Sequence, residues 1–239
     1  MNQIVEGIVK AVQLIFSGDP TFYGIVYRSL FFSGVASILA VLWATPIVML
    51  LGLKTFPGKS IVKGFFTTLI GLPTVALGLF LWLILSKAGP LGFLGLLYTP
   101  GAIILGEALL ITPLVVSIGT NAIEAVDPEM INLAKTLGAS DSQASITLLK
   151  EAAGGIIFSD VAGFNRAIAE LGVALMAGGN LAGFTDVLTT DISTYTARGD
   201  FSTAVALAVI LLVIVLGINL MIVVARNPKS LVIMGRMPQ

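Results

Sequence analysis

Apolar residues fall in long runs separated by short polar stretches, and the spacing of those runs dictates how the chain is read. The runs cover residues 29–53, 61–86, 100–123, 152–178 and 203–225. Each is long enough for a helix that crosses a hydrocarbon core, which takes about 20 apolar residues. The last contains no charged residue from Thr203 to Ala225. The fourth is interrupted by Asp160, Asn165, Arg166 and Glu170. The first three carry one proline each in their interior, Pro46, Pro73 and Pro113, read as kinks within continuous helices. Residues 2–16 have a different pattern. Ile4, Ile8, Val12 and Ile15 share one face, with Glu6, Lys10 and Gln13 elsewhere. That segment is too short and too polar to span, and it predicts an interfacial helix.

The pattern therefore predicts an all-α integral membrane protein. It has five transmembrane helices, a short N-terminal interfacial helix and a cytoplasmic helical hairpin, all in one membrane domain over residues 1–239. Composition agrees: 56% of the 239 residues are hydrophobic and 11% charged, against about 25% charged in soluble domains. Mean hydropathy is +1.02.

Lysine and arginine set the orientation. Lys54, Lys59, Lys63, Lys135, Lys150, Arg226, Lys229 and Arg236 share one side of a five-helix arrangement; Lys10, Arg28, Lys87 and Arg198 share the other. The N-terminus is expected outside and the C-terminus in the cytoplasm. A net charge of zero gives no basic surface for nucleic acid. With neither cysteine nor histidine, disulfides, thiol catalysis and histidine proton relays are excluded.

One segment imitates a phosphate-binding loop. Gly52 to Ser60 places five residues between its glycines where the pattern needs four, and Pro57 removes a backbone N–H. It is read as a basic turn between two membrane helices, so ATP and magnesium are expected on another chain and no cofactor or metal on this one.

The polar segment from Asp127 to Lys150 carries dense helix punctuation. Asp127 caps a helix opened by Pro128 and Glu129. Gly138 suits a left-handed ending. Ser140 and Gln143 form a capping box for a second helix. A connector between two spans needs only a few residues, so a structured hairpin here reads as a docking element.

These residues carry a resemblance. Ala134-Lys135-Thr136-Leu137-Gly138-Ala139-Ser140, followed by Ile146-Thr147-Leu148-Leu149, resembles the EAA loop of ABC importer permeases. Asn132-Leu133-Ala134 matches the Glu-Ala-Ala position with the acidic residue missing, and Lys150 replaces a common proline. The resemblance implies that Asn132, Leu133, Ala134, Leu137, Gly138, Ala139 and Ser140 couple the chain to an ABC ATPase subunit.

A second stretch is similar to tungstate-type permeases, relatives of molybdate and sulfate permeases. It comprises Gly163 to Gly172, then Gly178-Gly179-Asn180, then Leu188-Thr189-Thr190-Asp191-Ile192. Asn165 stands where that family often has glycine. The resemblance implies import of tungstate, with molybdate or another oxyanion as alternative. It also implies an extracytoplasmic oxyanion-binding protein as partner and a homodimer with the pore on its axis.

Charges inside a span are costly and face protein or water. Arg166 and Glu170, four apart, are expected to pair along one helix face, lining the translocation path or locking two helices. Glu107 is a candidate second partner for Arg166, and Asn165 lies beside it. Gly178, Gly179, Asn180, Thr189 and Thr190 are candidates for the outer mouth. A rival reading is an ion-coupled transporter or channel in which Glu107, Arg166 and Glu170 carry the coupling ions.

Overall fold

A computed structural model describes residues 3–127, 129–130 and 136–226, with the backbone alone at 141–142 and 222–226. Among the described residues there is helix and no strand. The helices are α1 (Gln3–Phe16), α2 (Pro20–Leu53), α3 (Lys59–Leu69), α4 (Thr74–Leu85), α5 (Pro100–Glu124), α6 (Asp141–Ile168), α7 (Leu188–Ala197) and α8 (Phe201–Arg226). A short 3₁₀ turn at Gly92–Leu94 and a π-helical turn at Ala174–Gly178 complete the set. Among the described residues, three helices are long and apolar enough to cross a membrane: α2, α5 and Phe201–Met221 of α8. The pair α3 and α4 makes a fourth if its two arms are one span.

The expected second span is not a kinked helix. α3 and α4 meet at 96°. Leu72 precedes a proline and is biased out of the helical region. Pro73 has no N–H to continue the ladder and instead sits extended (ψ 121°) at the start of α4. At 11 and 12 residues, each arm is about 17 Å long, well short of a bilayer core. Pro46 and Pro113, by contrast, remain inside continuous helices.

The fourth apolar run also differs from its expectation. The second arm of the hairpin and the run are one 28-residue helix, α6, which stops at Ile168. The chain then breaks before the π-helical turn. α2 is longer than expected, at 34 residues or about 51 Å.

The residues group into two compact units, one from residues 3–23 and 188–226 and one from Gly24–Val187. In the larger unit, α2, α5 and α6 pack through small residues. Ala44, Val48 and Leu51 meet Val115, Val116 and Ile123, with Leu148 and Ala152 of α6. A Cβ on Gly155 would lie 2.5 Å from the Ala122 Cβ, and one on Gly52 would lie 2.8 Å from Ile123. Small residues let membrane helices approach closely, so dispersion contacts replace a hydrophobic drive that lipid cannot supply. Leu81 and Leu85 of α4 bury against Ala102, Val173 and Ala177.

In the smaller unit, α1 turns Gly7 and Ala11 inward, and a Cβ on Gly7 would strike Val205 of α8. Ile4, Ile8, Val12 and Ile15 stay exposed. The apolar stripe read from the sequence thus faces away from the unit, as an interfacial helix requires.

Candidate translocation path and coupling loop

The described parts of the polar segment from Asp127 to Lys150 are fixed by local chemistry. The Asp127 carboxylate accepts from the Glu129 N–H at 2.9 Å. Gly138 has φ +90°, with open space around it, so its glycine is required by the backbone and not by crowding. Ser140 and Gln143 exchange both capping-box bonds: the Ser140 N–H donates to Oε1 of Gln143 at 2.8 Å, and the Gln143 N–H donates to the Ser140 hydroxyl at 3.3 Å. Leu137 is 81% exposed, and Ala139 is half-buried. Asn132, Leu133 and Ala134 lie outside the described residues.

Arg166 and Glu170 do pair, Nη1 to Oε2 at 2.8 Å, but not along one helix. α6 ends at Ile168, and Glu170 lies beyond its cap. The other carboxylate oxygen of Glu170 accepts from the Val173 N–H at 3.1 Å. Glu170 therefore bridges the break between α6 and the π-helical turn, held from both sides. It is 2% exposed, whereas the Arg166 side chain is 39% exposed.

Glu107 is buried on α5. Its polar neighbours are the Ser33 hydroxyl of α2, which hydrogen-bonds it, and the Glu170 carboxylate; its Oε2 has no hydrogen-bond partner. Among the described residues, Arg166 has Glu170 as its ion partner. Glu107 was expected as a second partner for Arg166, and the ion pairs among the described residues join Arg166 to Glu170. Asn165 lies on the last turn of α6, half-buried beside Arg166.

The candidate mouth residues are not a loose loop. Gly178 is buried, and a Cβ there would lie 2.6 Å from Ile103. Gly179 (φ +74°) lies under the Tyr98 ring. Asn180 also takes a positive φ, +48°. The Thr185 hydroxyl ties the turn, donating to the Gly178 carbonyl at 2.8 Å and accepting from the Leu181 N–H at 2.8 Å. In the smaller unit, Thr190 is wholly buried and Thr189 half-buried on α7.

Sequence reading missed three arrangements. Arg28 holds Asp186, 158 residues away. Lys59 and Lys63 share Glu124, so the near-miss phosphate loop ends as a turn, with Gly58 left-handed at the start of α3. α7 is a helix where only loop residues were read; its Thr189-Thr190-Asp191 start was a usable signal.

Long apolar helices packed through glycine and alanine, with Glu107 and Glu170 buried among them, define a multi-pass membrane protein. Residues 36–231 match the model of the binding-protein-dependent transport system inner membrane component family, and the chain belongs to that family. It is 36% identical over 222 residues to the tungstate uptake system permease protein TupB of Peptoclostridium acidaminophilum, covering 93% of this chain and 97% of that one. To the protein of the same name from Campylobacter jejuni it is 33% identical over 219 residues, 92% of each chain. A probable anion ABC transporter permease protein of Haloferax volcanii is 37% identical over 196 residues, 80% of this chain and 84% of that one.

Proposed function

We propose that this chain is the permease subunit of an ABC importer for tungstate. In this reading residues 1–239 form one permease domain that crosses the cytoplasmic membrane five times. The bent α3–α4 pair and α6 are the second and fourth crossings. The N-terminus is outside and the C-terminus cytoplasmic. Two copies enclose the path on their shared axis, because a single hairpin per chain serves one of two ATPase subunits. The ATPase holds ATP and magnesium; this chain breaks no bond. An extracytoplasmic oxyanion-binding protein delivers cargo.

The observation that carries the reading is the hairpin turn. An exposed leucine, a left-handed glycine and a capped helix start stand together where a rigid lever is needed. α6 runs from Asp141 to Ile168 without a break behind its Ser140 cap, so force applied at the Gly138 turn reaches Arg166 along one helix, and Glu170 through its pairing with Arg166. The names of the relatives supply the cargo, and the half-exposed Arg166 guanidinium, offset by Glu170, supplies a positive group for an anion path.

Cellular tungsten and molybdenum, measured by mass spectrometry at low external oxyanion, test this. A deletion strain should lose tungsten, and only the wild-type chain should restore it. Loss of molybdenum instead reassigns the cargo; no change in either metal refutes oxyanion import.

A further inference from the structure

α3 is two-faced. Lys59, Lys63 and Thr67 recur at four-residue spacing on one side, while Ile61 and Phe65 are exposed on the other. The polar side meets the last turns of α5. Lys59 Nζ lies 2.8 Å from Oε1 of Glu124, and Lys63 pairs with Oε2. The hydroxyls of Thr67 and Ser117 lie 3.3 Å apart.

Deeper in the same groove, Thr120 is 1% exposed and its hydroxyl has no hydrogen-bond partner. It lines a recess of about 10 Å³, with room for one oxygen-sized atom, together with Lys63, Phe66, Thr67, Ser117 and Asn121. A cavity of about 800 Å³ adjoins, lined by Lys59, Ser60, Lys63, Thr67, Thr68 and Glu124 among others.

Two ammonium groups against one carboxylate leave one positive charge; the Thr67 and Thr68 hydroxyls already donate to the Lys63 and Gly64 carbonyls, and Thr120 keeps an unmatched hydroxyl. Ionised partners shorten and strengthen hydrogen bonds, and a buried hydroxyl left unmade is costly. Both conditions favour an incoming anion with several acceptor oxygens.

We propose that this groove is a binding site for a tetrahedral oxyanion, with Glu124 as the resident counter-anion that the ligand displaces from Lys59 and Lys63. This rests on the oxyanion-import reading and places the site at the α5 end that leads into the hairpin. Glu124 lies three residues before Asp127, so its release frees the last turn of α5 where the hairpin begins. A phospholipid headgroup offers the same tetrahedral anion, and the outward Ile61 and Phe65 bring α3 within its reach.

The test uses the intact permease–ATPase complex in nanodiscs of phosphatidylcholine, with tungstate binding measured by equilibrium dialysis and mass spectrometry. K59Q/K63Q should weaken binding by about tenfold or more and T120V by roughly fivefold. E124Q should tighten binding several-fold by removing the competitor, an effect that misfolding does not mimic. Wild-type binding in all three variants overturns the site. Adding phosphatidylglycerol separates the sources: if it abolishes tungstate binding through Lys59 and Lys63, the groove is a lipid site and the cargo role fails. ATP-driven tungstate uptake by wild type in proteoliposomes is run alongside. Absent uptake refutes the import reading itself; uptake with unaltered binding in the variants refutes the groove alone.

Discussion

Arg28 of α2 clamps Asp186 twice, donating from Nε to its main-chain carbonyl at 2.9 Å and from Nη2 to Oδ2 at 2.7 Å. Both side chains are largely buried, and the second carboxylate oxygen has no partner. Removing one partner of a buried pair strands the other charge, at a cost of about 3–5 kcal/mol. Arg28→Ala should therefore lower the thermal unfolding midpoint in detergent sharply. Arg28→Ala with Asp186→Ala should recover most of the loss. Equal midpoints for the single and double variants would refute the pairing.

The hairpin turn separates backbone strain from crowding. Nothing lies near Gly138, so Gly138→Ala costs only its left-handed φ, about 1–2 kcal/mol. Uptake per ATP hydrolysed should fall while the complex still assembles. Ser140→Ala removes one capping bond, about 1 kcal/mol. Amide exchange at Gln143 and Ala144 should speed up, with the rest of α6 unchanged.

Glu170 joins two elements through two different oxygens, so its variants should rank. Glu170→Gln keeps an acceptor for the Val173 N–H but loses the charge facing Arg166. Glu170→Ala loses both and should be the more damaging by about 1–2 kcal/mol, read from unfolding midpoints. Arg166→Ala should cut transport while dimer and ATPase assembly survive; lost assembly would assign the pair a structural role only.

Asp200 lies ahead of α8 and is held below the ordinary aspartate range. The Thr203 hydroxyl contributes most, then the Thr203 N–H, with help from Ser202 and the Lys10 charge. A depressed folded pKa stabilises the fold above the unfolded value and ceases to do so as pH falls through the folded one. Exchange protection at Thr203 and Ala204 should hold near neutral pH and fall below about pH 4. Asp200→Asn should remove that dependence.

Local chemistry explains which features were legible in the sequence. The capping box at Ser140 and Gln143, the left-handed Gly138 and the charge-free stretch of α8 from Thr203 to Ala225 depend on neighbours within a few residues. Pro73 was visible, but its effect was not. Whether a proline bends or breaks a helix depends on whether neighbours satisfy the freed carbonyls, and here Gly71 and Leu72 close the helix with tight turns instead. Arg28 and Asp186 meet only through the fold, and no periodicity marks them. Thr120 reads as an ordinary small residue in an apolar helix until its burial leaves the hydroxyl unmatched. The break after Ile168 was hidden because Arg166 and Glu170 have helical spacing whether or not one helix carries both.

Reconstitution tests the central claim most directly. The chain, its ATPase and its binding protein are placed in proteoliposomes, and internal tungsten is measured with ATP or a non-hydrolysable analogue at the ATPase face. The account predicts tungstate accumulation against its gradient with ATP only, abolished by Gly138→Glu. Accumulation driven by an ion gradient without the ATPase would contradict it.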